Sequence, residues 1–134
     1  MASLSGIKGL DQDQPSIFKK VKDLTGEDEI KETLSKKKKN IVFVYHPSCP
    51  WSMKAAPEFE KFFKKAKKMG LTKDVGIYGI NTSWNDNRDP NVMKFIGLVK
   101  GIPTINLIEN GEFKEFNENA NVDGLIKFIS SNKK

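Results

Sequence analysis

Ile41-Val42-Phe43-Val44-Tyr45 is a run of β-branched and aromatic residues with no polar interruption. This is the pattern of a strand covered on both faces, as in the middle of an α/β sheet. Upstream, Ile17, Phe18, Val21 and Leu24 predict a short strand or an irregular lead-in. Thr25-Gly26-Glu27-Asp28 then starts a helix, with Thr25 as cap and Asp28 three residues on. Ile30 and Leu34 give that helix its apolar stripe. Lys36 to Lys39 close it as a solvated turn at the negative end of its dipole. After the buried strand, His46-Pro47-Ser48 forces a loop. A long helix follows from near Cys49 to Met69, with Phe59, Phe62, Phe63 and Ala66 at helical spacing and lysines outside. Pro57 lies within it and should kink it.

The second half alternates in the same way. Val75 to Ile80 predicts another buried strand, Asn81 to Asp89 a polar loop, and Asp89-Pro90 the start of a short helix through Phe95. Gly101-Ile102-Pro103 leads into a third strand, Thr104 to Ile108. Asn110-Gly111 is a strong hairpin signal, with Phe113 to Phe116 as the returning strand. Asn121 caps a last helix whose inner face is Val122, Leu125, Ile126 and Ile129. Residues 1 to 15 have no period and read as a loose tail. The expectation is one α/β domain over residues 16–134, in the order β-α-β-α-β-α-β-β-α, with a parallel first half and a hairpin at the end.

Composition narrows this picture. A chain of 134 residues suits one domain with a core of its own. Its single cysteine excludes an internal disulfide and a four-cysteine zinc site. No apolar run approaches the roughly 20 residues of a membrane span. The opening residues lack the apolar stretch of a secretory signal, so a cytoplasmic, reducing setting is expected. The charge is +6, from 23 basic against 17 acidic residues, and Arg88 is the only arginine. Forked contacts to phosphates and bases favour arginine. Solvated lysine faces are therefore expected, and neither nucleic acid nor a membrane is an expected partner. The Asn81-Thr82-Ser83 glycosylation sequon is expected to stay unmodified.

The candidate chemistry lies in Tyr45-His46-Pro47-Ser48-Cys49-Pro50-Trp51-Ser52. Cys49 follows a buried strand and opens a helix. Unpaired N–H groups and the positive end of the dipole favour a thiolate there. The thiolate is the nucleophile of disulfide exchange.

Four segments carry a family resemblance. Tyr45-His46-Pro47-Ser48-Cys49 resembles the approach to the active site of thioredoxin-fold proteins, and more narrowly of protein disulfide isomerase domains. Ala56-Pro57-Glu58-Phe59-Glu60-Lys61 resembles the continuation of their active-site helix. Gly101-Ile102-Pro103-Thr104 is similar to the segment carrying their cis proline, and Glu109-Asn110-Gly111-Glu112 to their final hairpin. The resemblance spans residues 16 to 131 and implies a thioredoxin fold, with Cys49 catalytic and Ile102 and Pro103 lining the substrate groove.

The departures bear on activity. The family site reads Cys-x-x-Cys, whereas here it is Cys49-Pro50-Trp51-Ser52, with Ser52 at the place of the resolving cysteine. Phe43 stands where the family often has a buried carboxylate. His46, three residues before Cys49, would lower the thiol pKa if its cation faced the sulfur, or else is an exposed loop histidine. Two functions follow. One is a monothiol protein with weak exchange or isomerase activity toward protein or glutathione disulfides. The other is a thioredoxin scaffold kept as a redox-inactive binding or chaperone-like module. A glutathione-bridged iron–sulfur cluster, as in monothiol glutaredoxins, is a weaker reading. The expectation is a monomer acting with an unidentified client protein, without a metal or cofactor.

Overall fold

The computed structural model describes residues 17–25, 27–82 and 102–130. Five strands form one sheet: β1 (Lys22–Leu24), β2 (Lys39–Tyr45), β3 (Val75–Asn81), β4 (Thr104–Glu109) and β5 (Glu112–Glu115). Their order is β1-β3-β2-β4-β5. β3 runs parallel to both β1 and β2, β4 is antiparallel to β2, and β5 is antiparallel to β4. Three helices accompany them: α1 (Glu27–Leu34), α2 (Pro50–Lys68) and α3 (Val122–Ser130). A single 3-10 turn, Leu71–Lys73, joins α2 to β3. The helix expected from Asp89 to Phe95 and the tail over residues 1 to 15 lie outside the described residues.

Every residue of β2 is buried, and its alternating side chains feed two cores. Ile41, Phe43 and Tyr45 point into the larger one, with Phe59, Phe62 and Ala66 of α2 and Leu125 and Ile129 of α3. Val42 and Val44 point the other way, toward Leu24, Ile30 and Ile80. Period-2 alternation with both faces covered is why this strand reads as a continuous apolar run. The rings of Phe43 and Phe59 stack at 5.1 Å, and Phe18 meets Phe43, Tyr45 and Phe59 at 5.4–5.8 Å.

Several local expectations are refined. Asn110 (φ 53°) and Gly111 (φ 79°) make the hairpin turn with two left-handed residues, as a two-residue turn of right-handed twist requires. The Asn121 side chain accepts the Gly124 N–H at 2.7 Å and caps α3. At the start of α1, Thr25 engages Glu29 instead of Asp28; its N–H donates to the Glu29 carboxylate at 2.8 Å. The lead-in from Ile17 forms a strand only from Lys22 to Leu24.

Lys39 departs from the solvated turn predicted for Lys36 to Lys39. α1 ends at Leu34, and Lys39 is buried as the first residue of β2. Its Nζ donates to the Ile129 carbonyl at 3.0 Å. That carbonyl belongs to the last turn of α3, where carbonyls lack helical donors and a cation is favoured.

Two further contacts hold the β1 edge. The Glu60 carboxylate of α2 accepts the Lys19 and Lys20 N–H groups at 2.9 and 2.6 Å, which fixes the lead-in against the helix. Asp23, on the larger-core face of β1, accepts the Tyr45 hydroxyl across β3. This reach is possible because Gly79 lies between them: a Cβ there would sit 2.6 Å from Asp23 Oδ1 and 2.8 Å from the Phe18 ring.

Gly79→Ala is expected to lower stability by about 1–3 kcal/mol through overpacking. Glu60→Ala should cost about 1–2 kcal/mol through two lost charge-assisted bonds. Denaturant unfolding measures both, and a Gly79→Ala protein as stable as wild type would contradict the packing described.

Candidate functional site

β2 delivers the chain to one end of the sheet, and α2 begins there five residues beyond Tyr45. The intervening loop is tight. The Cys49 N–H donates to the His46 carbonyl at 3.0 Å, and the Ser48 N–H donates to His46 Nδ1 at 3.0 Å. The His46 ring thus shapes the loop by accepting from the backbone two residues on.

Cys49 is the N-cap of α2, in extended conformation (φ −83°, ψ 119°), and Pro50 is the first helical residue. Proline suits that position because its missing N–H would have had no helical partner. Cys49 is half-buried. The first turn of α2 holds no acidic side chain, so nothing competes with a thiolate for the positive end of the helix.

Ser52 lies one turn along and is fully buried. Its hydroxyl forms no hydrogen bond of ordinary geometry, yet it lies close enough to the Cys49 sulfur to influence its ionisation. Burial pushes the Cys49 thiol up. The Ser52 N–H and hydroxyl and the Trp51 N–H outweigh that and leave its pKa below the ordinary value. The buried hydroxyl thus has the thiolate as its natural acceptor. The Ile102 carbonyl lies 3.9 Å from Sγ, placed to accept from the protonated thiol.

The Ile102–Pro103 peptide bond is cis. Both residues, with Trp51, line a groove of about 650 Å³ that continues past Ala55 and Phe43 to Phe116 and Ala120. Lys54, Glu58, Glu115 and Glu118 stand around it. Trp51 is 67% exposed, with the Lys54 ammonium 5.4 Å from its ring centroid. Phe43 is buried in this groove wall, at the position where a carboxylate was looked for.

Cys49, Trp51, Ser52, Ile102 and Pro103 thus converge from two separated segments, while His46 turns to the loop backbone. The far wall from Phe116 to Ala120 was missing from the sequence reading, since nothing in Asn117-Glu118-Asn119-Ala120 marks chemistry. Asn81 of the sequon is buried at the end of β3, and the Thr82 hydroxyl donates to the Tyr45 carbonyl at 2.9 Å. Among the described residues, no group of three or more His, Cys, Asp or Glu could hold a metal ion. No helix among them is long and apolar enough to cross a membrane.

A mixed sheet between helices, with a helix-capping cysteine beside a cis proline, defines a thioredoxin-fold thiol protein. The thioredoxin family model matches residues 20–131, and the chain belongs to that family. A probable protein disulfide-isomerase A4 of Caenorhabditis elegans is 30% identical over 97 residues, which cover 70% of this chain and 14% of that protein. Form I of human ERp44 superposes with a TM-score of 0.70 at 19% identity, covering 90% of this chain and 31% of that one. Oxidised mitochondrial thioredoxin 3 from Saccharomyces cerevisiae gives 0.61 at 20% identity over 87% of this chain and 99% of its own. The similarity to protein disulfide isomerase is thus to one domain of a much longer chain.

Alkylation of Cys49 followed against pH should inflect below the value of the same thiol in the unfolded chain. Because the folded pKa is the lower one, the excess of thiolate appears between the two values and vanishes above both. Ser52→Ala should move the inflection upward. An inflection unchanged by that substitution would remove the hydroxyl from the account.

Proposed function

We propose that this protein carries out single-thiol disulfide exchange through Cys49, on protein or glutathione disulfides. The observation that carries the reading is the placement of a pKa-lowered cysteine at the open N-terminus of α2, beside a fully buried serine hydroxyl. The Cys49 thiolate attacks one sulfur of a client disulfide. A new S–S bond forms to Cys49, and the other client sulfur leaves as a thiolate. Ser52 cannot carry out the second step, because an alkoxide is inaccessible at neutral pH and oxygen forms no disulfide. The mixed disulfide therefore persists until another thiol attacks it. Attack by a thiol of the same client regenerates the Cys49 thiolate and leaves a rearranged disulfide, with no net change in oxidation. Attack by glutathione leaves glutathione bonded to the client sulfur or to Cys49, and a second glutathione completes reduction.

The groove beside the sulfur supports a protein client. Ile102 and Pro103 would hold an extended segment, and the exposed Trp51 adds apolar contact next to Cys49. Phe43 puts an aromatic ring where the resemblance implies a buried carboxylate, and the loss of that proton acceptor favours slow exchange. A cytoplasmic setting, where glutathione is kept reduced, would supply the releasing thiol.

Cys49→Ser is expected to abolish exchange on a scrambled-disulfide substrate with glutathione present. Full activity in that variant would overturn the proposal. A Cys49→Ser protein that still retains clients noncovalently would favour a redox-inactive binding module. Ser52→Cys is expected to add dithiol reductase activity, read as insulin precipitation, at least tenfold above wild type, because it supplies the missing resolving thiol.

A further inference from the structure

The end of the sheet remote from Cys49 collects the starts of β2 and β3 and the C-terminal ends of α1, α2 and α3. Lys36, Lys37, Lys38, Lys39 and Lys73 line one recess of about 570 Å³ there, against two acidic residues, Asp74 and Glu109. Two of these lysines serve the fold: Lys39 holds the Ile129 carbonyl, and Lys37 Nζ donates to the Lys73 carbonyl at 3.2 Å. The ion pairs among the described residues, Lys61 with Glu58 and Lys65 with Asp123, use none of the five. The exposed Lys36, Lys38 and Lys73 thus form no ion pair among the described residues. At this end α2 finishes in Lys67 and Lys68, and its C-cap residue, Met69, is 53% exposed. Leu71, two residues on in the connecting turn, contributes to the recess wall.

We propose that this pole is a docking surface for an anionic lipid bilayer. Lysines are compact point charges that suit headgroup phosphates and carboxylates without demanding a fixed geometry. The exposed Met69 thioether, two residues before a residue of the recess wall, is the kind of apolar side chain that enters the interfacial layer. The recess has no aromatic residue for stacking bases and no arginine for reading base edges, so the surface lacks what a nucleic-acid site uses. Nor does the contact require a spanning segment. The seven residues of β2 separate this pole from the site by roughly 20 Å. Docking here would turn Cys49 and its groove away from the bilayer, toward clients in solution. The charge run expected to be a plain solvated turn would thus act as an anchor.

Cosedimentation with vesicles tests this on the full chain. Binding to phosphatidylcholine vesicles carrying about 30% phosphatidylserine should exceed binding to phosphatidylcholine alone by at least about tenfold, and should fall steeply with salt. The exposed double variant Lys36→Glu/Lys38→Glu should lose about tenfold or more with an unchanged Tm, and Met69→Ser should weaken vesicle binding a few-fold. The alkylation rate of Cys49 should be the same on vesicles as in solution. Equal affinity for the two vesicle types, or wild-type binding by the double variant, would overturn the proposal. Protection of Cys49 would overturn the orientation. Single-stranded RNA bound as tightly as anionic vesicles, with Met69→Ser without effect on either, would replace the bilayer by a nucleic acid. None of these readouts depends on exchange activity.

Discussion

Phe43 and Phe59 stack in the centre of the larger core, one from the middle strand and one from the helix that Cys49 caps. Between them the chain has only a short loop in which to reverse direction. Once the two rings are packed, the end of β2 and the start of α2 have little freedom relative to each other. Cys49 is therefore held at the junction by the core as well as by the hydrogen bonds of the loop. The neighbouring rings of Phe18, Tyr45 and Phe62 extend the same cluster on both sides. A carboxylate at position 43 would give up this stack, so at that position aromatic packing and an internal proton acceptor exclude each other.

That exclusion fits the rest of the site. Under the proposed function, a serine in place of a second thiol leaves no intramolecular release step, and Phe43 leaves no carboxylate at its own position to take up protons. What remains favours formation of the thiolate: free N–H groups, a hydroxyl without another partner and an uncontested helix end. For the exchange proposed above, this arrangement would favour capture over release.

The features legible in the sequence were those set by local rules. Five uninterrupted apolar residues could only be a strand covered twice, and Asn110-Gly111 could turn with positive φ at both positions. The cysteine before a proline marked a helix start. What escaped reading depended on partners far along the chain. Lys39 looked like the end of a charge run because its acceptor, Ile129, lies 90 residues away. Glu60 gives no sign of its role in the sequence because its partners are backbone N–H groups of the β1 lead-in. Asp23 stands in a short edge strand, and its reach to Tyr45 depends on a missing side chain at Gly79. Backbone donors, backbone acceptors and absent atoms leave no periodic trace in a sequence.

The bond from Lys39 to the last helix also has a consequence for the order of events during synthesis. Leu125 and Ile129 fill the same core as Ile41 and Phe62, so the central strand and the active-site helix are unfinished surfaces until the final helix has emerged from the ribosome. A nascent chain halted before residue 122 would expose those aromatic side chains and leave the Lys39 ammonium without its acceptor. Such a chain would be prone to aggregate until α3 has emerged, and the thiol would acquire its settled surroundings only as the domain closes.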